Sequence, residues 1–554
     1  MTKFIICVVF SLFILCMFTP KNIISWMYAK CCEIKEMIDF KKVKIVLYAT
    51  VFFMFAAYMY AWINGSFLCD ASFIYRGTPT KVVSDKWLGA LVWIIDAGVN
   101  EPWLAGLIAT ILMVVSVYCI VDILEINKNW AICLIAGLCS TNSVIICQQE
   151  YAGGNYTGEI ALVLARISMW IIKNIKCNVA IKTLIVALTI ACSAGIYGAY
   201  VSIVPSLMLI VLFMDIFKGI EWKKNWSKAF LYLFYFITGM VLYYAILRGL
   251  MYVTGGQLSS YMGEDNLEKV SGVLNMIKTI PAAYVSLKHY YTNGLTYLPG
   301  FMAMLLRVIM LTGGALTLYW CYTKRKEMKR NIMNFILLIF IIFLSPLAIN
   351  LIQVMSSGYV HYLMIFTYVV PVLFFVKIME NIIRAEEYRK MWIRLSMFLG
   401  AIMSVYLYYS VVMANAVYVD LYNKYEVALE TGAKILDRIE TCEGYEGDEQ
   451  VVLLGRLSLN PYYGEAGQEA EILNAFLGNN NPNHSNILVH GLYLEWFLVN
   501  ILDSKIEYNF YDTLNICIAN EGEQYADVLK EMDSFPKKDC VVKVEDKIFI
   551  KLSE

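Results

Sequence analysis

The sequence predicts a polytopic bundle of membrane helices, with about twelve spans, followed by a small α/β domain on the outer side. Three observations carry that prediction. The chain of 554 residues is 59% hydrophobic and only 16% charged, with mean hydropathy +0.60, whereas soluble domains run at roughly 45–50% apolar and about 25% charged. Apolar runs long enough to cross about 30 Å of hydrocarbon recur up to residue 414. The formal net charge of zero is also uneven, because residues 420–554 carry 25 Asp and Glu against 11 Lys and Arg. The apolar part is therefore basic, and the two regions face different solvents.

The first run, residues 4–19, is followed by the basic stretch Lys21–Lys44 and not by a small-residue cleavage site, so it reads as a retained span. The positive-inside rule places that basic stretch in the cytoplasm, and the span at 44–63 then leads outward. Further spans are expected at 102–123, 130–147, 158–173, 181–194, 197–217, 229–247, 298–321, 333–351, 363–379 and 395–414, with 181–194 short enough to be partly re-entrant. Alternate connections support this order. Those with Lys173 and Lys176, Lys223 and Lys224, Lys324 to Arg330, and Arg384 to Arg394 fall on one side, while QQEYAGGNYT (148–157) and QVMSSGYVHY (353–362) contain no Lys or Arg. Two outer connections are long, 64–101 and 248–298. The expected domains are a membrane part, 1–415, and an extracytoplasmic α/β domain, 416–554. In the latter, 416–440 reads as an amphipathic helix and VVLLG (451–455) as a buried strand. Residues 492–502 and 523–532 read as helices, and CVVKVEDKIFIKL as a hairpin turning at Glu545 and Asp546.

Several function classes drop out. The 15 cysteines form no CxxC pair and have no His at ligand spacing, which argues against a zinc site or redox motif. No Walker-type glycine loop, HExxH or GxSxG is present. The basic residues are accounted for by the inner loops, so no nucleic-acid partner is expected.

What remains is a membrane enzyme or transporter with its polar groups on the outer face. The first outer loop, Asn64 to Gly98, holds Asp70, Tyr75, Arg76, Lys81, Asp85 and Lys86 before an amphipathic run in which Trp87, Leu91, Ile94 and Ile95 share a helical face. Such a run lies in the interface. Asp70 follows its span by about seven residues, within the headgroup region, where a carboxylate can deprotonate an acceptor hydroxyl; the plain alternative is a solvated acid or an Asx turn. Lys81, Lys86, Arg248, Lys288 and His289 are outer-face cations suited to a phosphate, or simply to headgroup anchoring. Glu150, Tyr151, Asn155 and Tyr156 in one cation-free loop, and His361 between Tyr359 and Tyr362, offer hydroxyl and amide groups for sugar contacts, although interfacial belts have the same composition. Arg166 and Arg307 fall inside expected spans, where charge is costly and is either paired or functional; Glu159, two turns away, is a candidate partner for Arg166.

The layout resembles the integral-membrane glucosyltransferases of the GtrII type, within the GT-C class. The resemblance rests on an acid in the first outer loop, SDKW at 84–87, EPW at 101–103, IYGAYVS at 196–202, and the passage MANAVYVDLYNKYEVALETGAKILDRIE at 413–440. Two departures stand out: Asp70 is single where an acidic pair is usual, and Gly198 replaces the Gln of the tyrosine motif. The resemblance implies a GT-C-type bundle in a bacterial cell membrane. It implies transfer of a sugar, glucose by family, from a polyprenyl-phosphate donor to a lipid-linked or nascent cell-surface polysaccharide outside the membrane. It further implies Asp70 as base, Lys86, Arg248, Lys288 and His289 toward the donor phosphate, and Tyr75, Glu150, Tyr151, Asn155 and His361 toward sugar or acceptor. No cofactor is required by this reading, and a divalent metal is the one candidate. The competing classes are a lipid-linked oligosaccharide transporter, which calls for repeats or broken mid-membrane helices, and a polysaccharide polymerase or ligase.

Overall fold

A computed structural model describes residues 33, 35–65, 84–89, 92, 101–149, 156–259, 264–265, 270–294, 298–328, 331–384, 389–457 and 491–553. The membrane part is a helical bundle. It opens with α1 (Phe40–Asn64), whose start is fixed by the Asp39 carboxylate accepting from the backbone N–H groups of Lys41 and Lys42 at 3.0 and 3.3 Å. Next come α2 (Pro102–Ile123), with proline in its first turn, α3 (Asn129–Ser140) and the short α4 (Ser143–Gln148). The expected span at 130–147 is thus broken in two, because Asn142 leaves the helix to cap α4 through Val144 N–H.

Then follow α5 (Tyr156–Asn174), α6 (Val179–Tyr197), a 3-10 turn at Gly198–Ser202, α7 (Ile203–Phe217) and α8 (Trp222–Thr254). Helices α6 and α8 cross closely, since Gly239 leaves the space that Ile190 fills. After them come α9 (Val270–Lys278), α10 (Ile280–Asn293), α11 (Gly300–Met328), α12 (Ile332–Ile349), α13 (Leu351–Met355), α14 (Val370–Arg384) and the 51-residue α15 (Lys390–Glu440).

Among the described residues eight helical stretches are long and apolar enough to cross a membrane. The difference from about twelve has identifiable sources. Residues 4–19 lie outside the described residues. Helix α3 is 12 residues long, α5 carries Glu159, Arg166 and Lys173, and the two runs at 181–194 and 197–217 form one continuous element, Val179–Phe217.

One end of the bundle is tied by ions. Glu125, just past α2, pairs with Lys173 of α5 at 3.1 Å and with Lys218, beyond α7, at 2.8 Å. Burial raises the Glu125 carboxyl, but the two ammonium groups outweigh it and hold the pKa down at about 2. Lys377 of α14 donates to the Glu125 carbonyl and pairs with Glu380, which in turn accepts from the N–H groups of Asn127 and Lys128. These residues mark a charged face at which α2, α5, α7 and α14 end and α3 and α15 begin.

The last part of the chain is a four-stranded sheet with order β2-β1-β4-β3, where β1 is Gln450–Leu454, β2 Tyr508–Tyr511, β3 Val541–Val544 and β4 Lys547–Lys551. β1 runs parallel to both neighbours, and β3 and β4 form an antiparallel hairpin with Glu545 at positive φ in its turn. Helices α16 (Gly491–Asn500), α17 (Leu514–Glu521) and α18 (Ala526–Glu531) accompany it. Helix α16 packs on α15, with Phe497 edge-on to Tyr425.

Candidate active site

The site assembles at the end of α6 furthest from the charged face. Gly195 sits one turn before the 3-10 turn, and the space where its Cβ would be is filled by the Trp87 ring. The Gly195 carbonyl accepts from Leu88 N–H at 2.7 Å. These two contacts dock the SDKW segment onto IYGAYVS, joining two motifs more than a hundred positions apart. Docking presents Asp85 and Lys86 to a chamber of about 170 Å3, closed by Tyr197, Tyr243 and Tyr244, by Glu264, and by Met240, Met276, Met355 and Met364. Thioether chains give the apolar wall a surface that adapts its shape.

Asp85 is the hub. Its backbone N–H donates to a Glu264 carboxylate oxygen at 3.1 Å, and its own carboxylate accepts from the Tyr243 hydroxyl at 3.1 Å. Lys86 Nζ lies 5.4 Å from the centre of the Tyr197 ring, in cation–π range. Burial pushes the Asp85 carboxyl above its usual 3.8, although Lys86 and the Tyr243 hydroxyl pull it down. Glu264 is raised from 4.5, by burial first and then by the Asp85 charge. Two carboxyl groups in one half-dry site resist double ionisation.

A buried polar relay lies behind the chamber. Tyr197 packs on Tyr200 at 4.8 Å between ring centres, and the Tyr200 hydroxyl donates to Gln148 at 3.0 Å. Gln148 donates to Glu159, Gln149 donates to the same carboxylate at 2.7 Å, and Trp62 Nε1 donates to Gln149 at 3.0 Å. Arg166 is fully buried, donates to Ser116 and stacks over Phe366 at 4.8 Å. The expected Arg166–Glu159 pair does not form as an ion pair among the described residues; each group is taken by other partners. Arg307, expected inside a span, is exposed on α11.

Of the residues expected to bind the donor phosphate, Lys86 lines the chamber. Arg248, Lys288 and His289 do not; all three are exposed. Arg248 follows Tyr243 by five positions, which turns it about 140° around α8. His361 caps a short 3-10 turn, its Nδ1 accepting from Leu363 N–H at 3.4 Å; Met364 of that turn lines the chamber, and His361 does not. Asp70, Tyr75, Glu150, Tyr151 and Asn155 lie outside the described residues, as do Leu91, Ile94 and Ile95. From the sequence, Asp85 stands in the first outer loop without a role, and Glu264 is not singled out. The available signal was an acid beside Lys86 in SDKW and a second acid in the long outer connection. Among the described residues no three His, Cys, Asp or Glu side chains gather at metal-binding range.

The sequence model of a family described as Glucosyl transferase GtrII matches residues 59–372. No curated protein and no solved structure matches the chain. The family match covers more than half of the chain and takes in every residue that lines the chamber. The chain belongs to the GtrII glucosyltransferase family.

Proposed function

We propose that the protein transfers glucose from a polyprenyl-phosphate donor to a lipid-linked or nascent cell-surface polysaccharide, on the extracytoplasmic side of a bacterial membrane. The observation that carries this reading is the chamber itself, where two raised carboxyls and one ammonium group meet at the end of the bundle opposite the charged face. The basic loops gather at that charged face, which fits a cytoplasmic assignment for it and an outer position for the chamber.

In this mechanism the ionised Asp85 carboxylate accepts the proton of an acceptor hydroxyl. The hydroxyl oxygen attacks the anomeric carbon and forms the new glycosidic bond, while the bond from that carbon to the phosphate oxygen breaks and its electron pair leaves with polyprenyl phosphate. Lys86 offsets the charge growing on the leaving phosphate, and Glu264 holds the Asp85 backbone. The chamber is smaller than the roughly 300 Å3 at which ligand pockets usually begin, so it suits one sugar headgroup, with the isoprenoid left outside it.

The test is purified protein in lipid vesicles with labelled polyprenyl-phosphate glucose and an extracted polysaccharide acceptor. Release of polyprenyl phosphate together with label in the glycan is expected. Movement of the lipid-linked sugar across the bilayer without bond transfer would establish a transporter instead.

A further inference from the structure

A second cavity among the described residues is several times larger than the chamber: a groove of about 770 Å3 between α1, α3, α14 and α15, lined by Phe52, Trp130, Met379, Met397, Gly400 and Tyr408 among others. Phe52, Met397 and Tyr408 are each about two-thirds exposed, so its mouth opens sideways into lipid. Along α15 it extends from Ser396 to Val411, which at about 1.5 Å per residue is roughly 22 Å. That exceeds the ~15 Å depth of one hydrocarbon leaflet.

The groove is apolar along its length and cationic at one end. Lys128 lies two residues before Trp130, Arg384 follows the lining residue Ile383, and Lys390 and Arg394 occupy the first turns of α15 before Ser396. All four are exposed. Glu380, between the lining residues Met379 and Ile383 in sequence, is already taken by Lys377 and by the N–H groups of Asn127 and Lys128. Glu386 and Glu387, in the connection between α14 and α15, lie outside the described residues.

We propose that this groove binds an anionic phospholipid of the bilayer, with one acyl chain along α15 and the phosphate among Lys128, Arg384, Lys390 and Arg394. Cations confined to one end of an apolar trough complement an amphiphile with one charged head. The glycosyl donor is a poor occupant, because the groove shares no lining residue with the chamber and its cationic mouth lies at the charged face. A second protein helix would not call for cations at one end alone.

Trp130 reports on the groove directly. Full-length protein is reconstituted with dibromo-acyl phosphatidylglycerol or dibromo-acyl phosphatidylcholine, and the Trp130 contribution is isolated by subtracting a Trp130→Phe variant. Phosphatidylglycerol is expected to quench that contribution at lower mole fraction than phosphatidylcholine. Lys128→Gln and Arg394→Gln should each reduce this headgroup preference roughly fivefold, and Ser404→Phe should abolish quenching by filling the trough. Equal quenching by both headgroups would overturn the proposal in favour of ordinary annular lipid. Quenching by neither would overturn it in favour of a polypeptide occupant. Glucosyl transfer plays no part in the readout, so its outcome is independent of the proposed reaction.

Discussion

Tyr243→Phe isolates one hydrogen bond at the centre of the chamber. The Tyr243 hydroxyl donates to Asp85 at 3.1 Å, and both groups are largely withdrawn from water. A hydrogen bond to a charged group contributes about 1.5–3 kcal/mol, and 3.1 Å is long for a charge-assisted bond, so the lower end applies. This hydroxyl favours the ionised carboxylate. Its removal therefore raises the Asp85 pKa further. If ionised Asp85 is the base, the acidic limb of the kcat/KM profile moves to higher pH, so that kcat/KM on that limb falls roughly tenfold for about 1.4 kcal/mol, and the plateau at alkaline pH changes much less. The assay is initial-rate transfer from polyprenyl-phosphate glucose across pH, wild type against variant. An acidic limb that stays in place, or moves to lower pH, would refute the role given to Asp85.

Gly195→Val drives a side chain into the Trp87 ring and displaces the docked SDKW segment. Overpacking costs about 1–3 kcal/mol, but a 1 Å misplacement of catalytic groups costs roughly 10²-fold in rate, so thermal denaturation should change modestly while turnover falls steeply. Glu159→Leu removes the carboxylate that accepts from two buried amides, at about 1–3 kcal/mol each; Glu159→Gln keeps one acceptor oxygen and should lose less than half as much, as read by denaturant unfolding in detergent. Beside the C-terminal sheet, Lys543 at 2.6 Å and the N–H groups of Gly447 and Glu446 hold the Glu449 pKa down at about 2, from the usual 4.5. A depressed acid stabilises the fold above pH 4.5 and loses that stabilisation as pH falls toward 2. Hydrogen exchange of strands 450–454 and 541–551 in the full chain should therefore accelerate across that window, and Glu449→Gln should flatten the response.

The apolar runs were legible as helices because apolar length is a local property. Breaks inside spans were not, because Asn142 ends one helix by capping the next, and the 3-10 turn at Gly198–Ser202 leaves no mark on hydropathy. The site was half legible. SDKW and IYGAYVS stood out as separate motifs, but their meeting depends on Trp87 filling the space at Gly195, a tertiary fact. Glu264 reaches Asp85 across 179 positions, a pairing no spacing rule predicts. Arg248 was on an expected outer segment, but helical phase turns it from the chamber. Arg166 and Glu159 do lie buried on one helix, yet each takes a partner from another helix, Ser116 for one and Gln148 for the other.

The central claim is that Asp85 removes the acceptor proton during glucosyl transfer. Its most direct measurement compares Asp85→Asn and Asp70→Asn with wild type for release of polyprenyl phosphate by purified, folded protein. Loss of a general base predicts a fall of about 10²–10⁴-fold for Asp85→Asn, with Asp70→Asn retaining most of its turnover. Normal turnover in Asp85→Asn, with the loss transferred to Asp70→Asn, would contradict the account and move the base into the first outer loop.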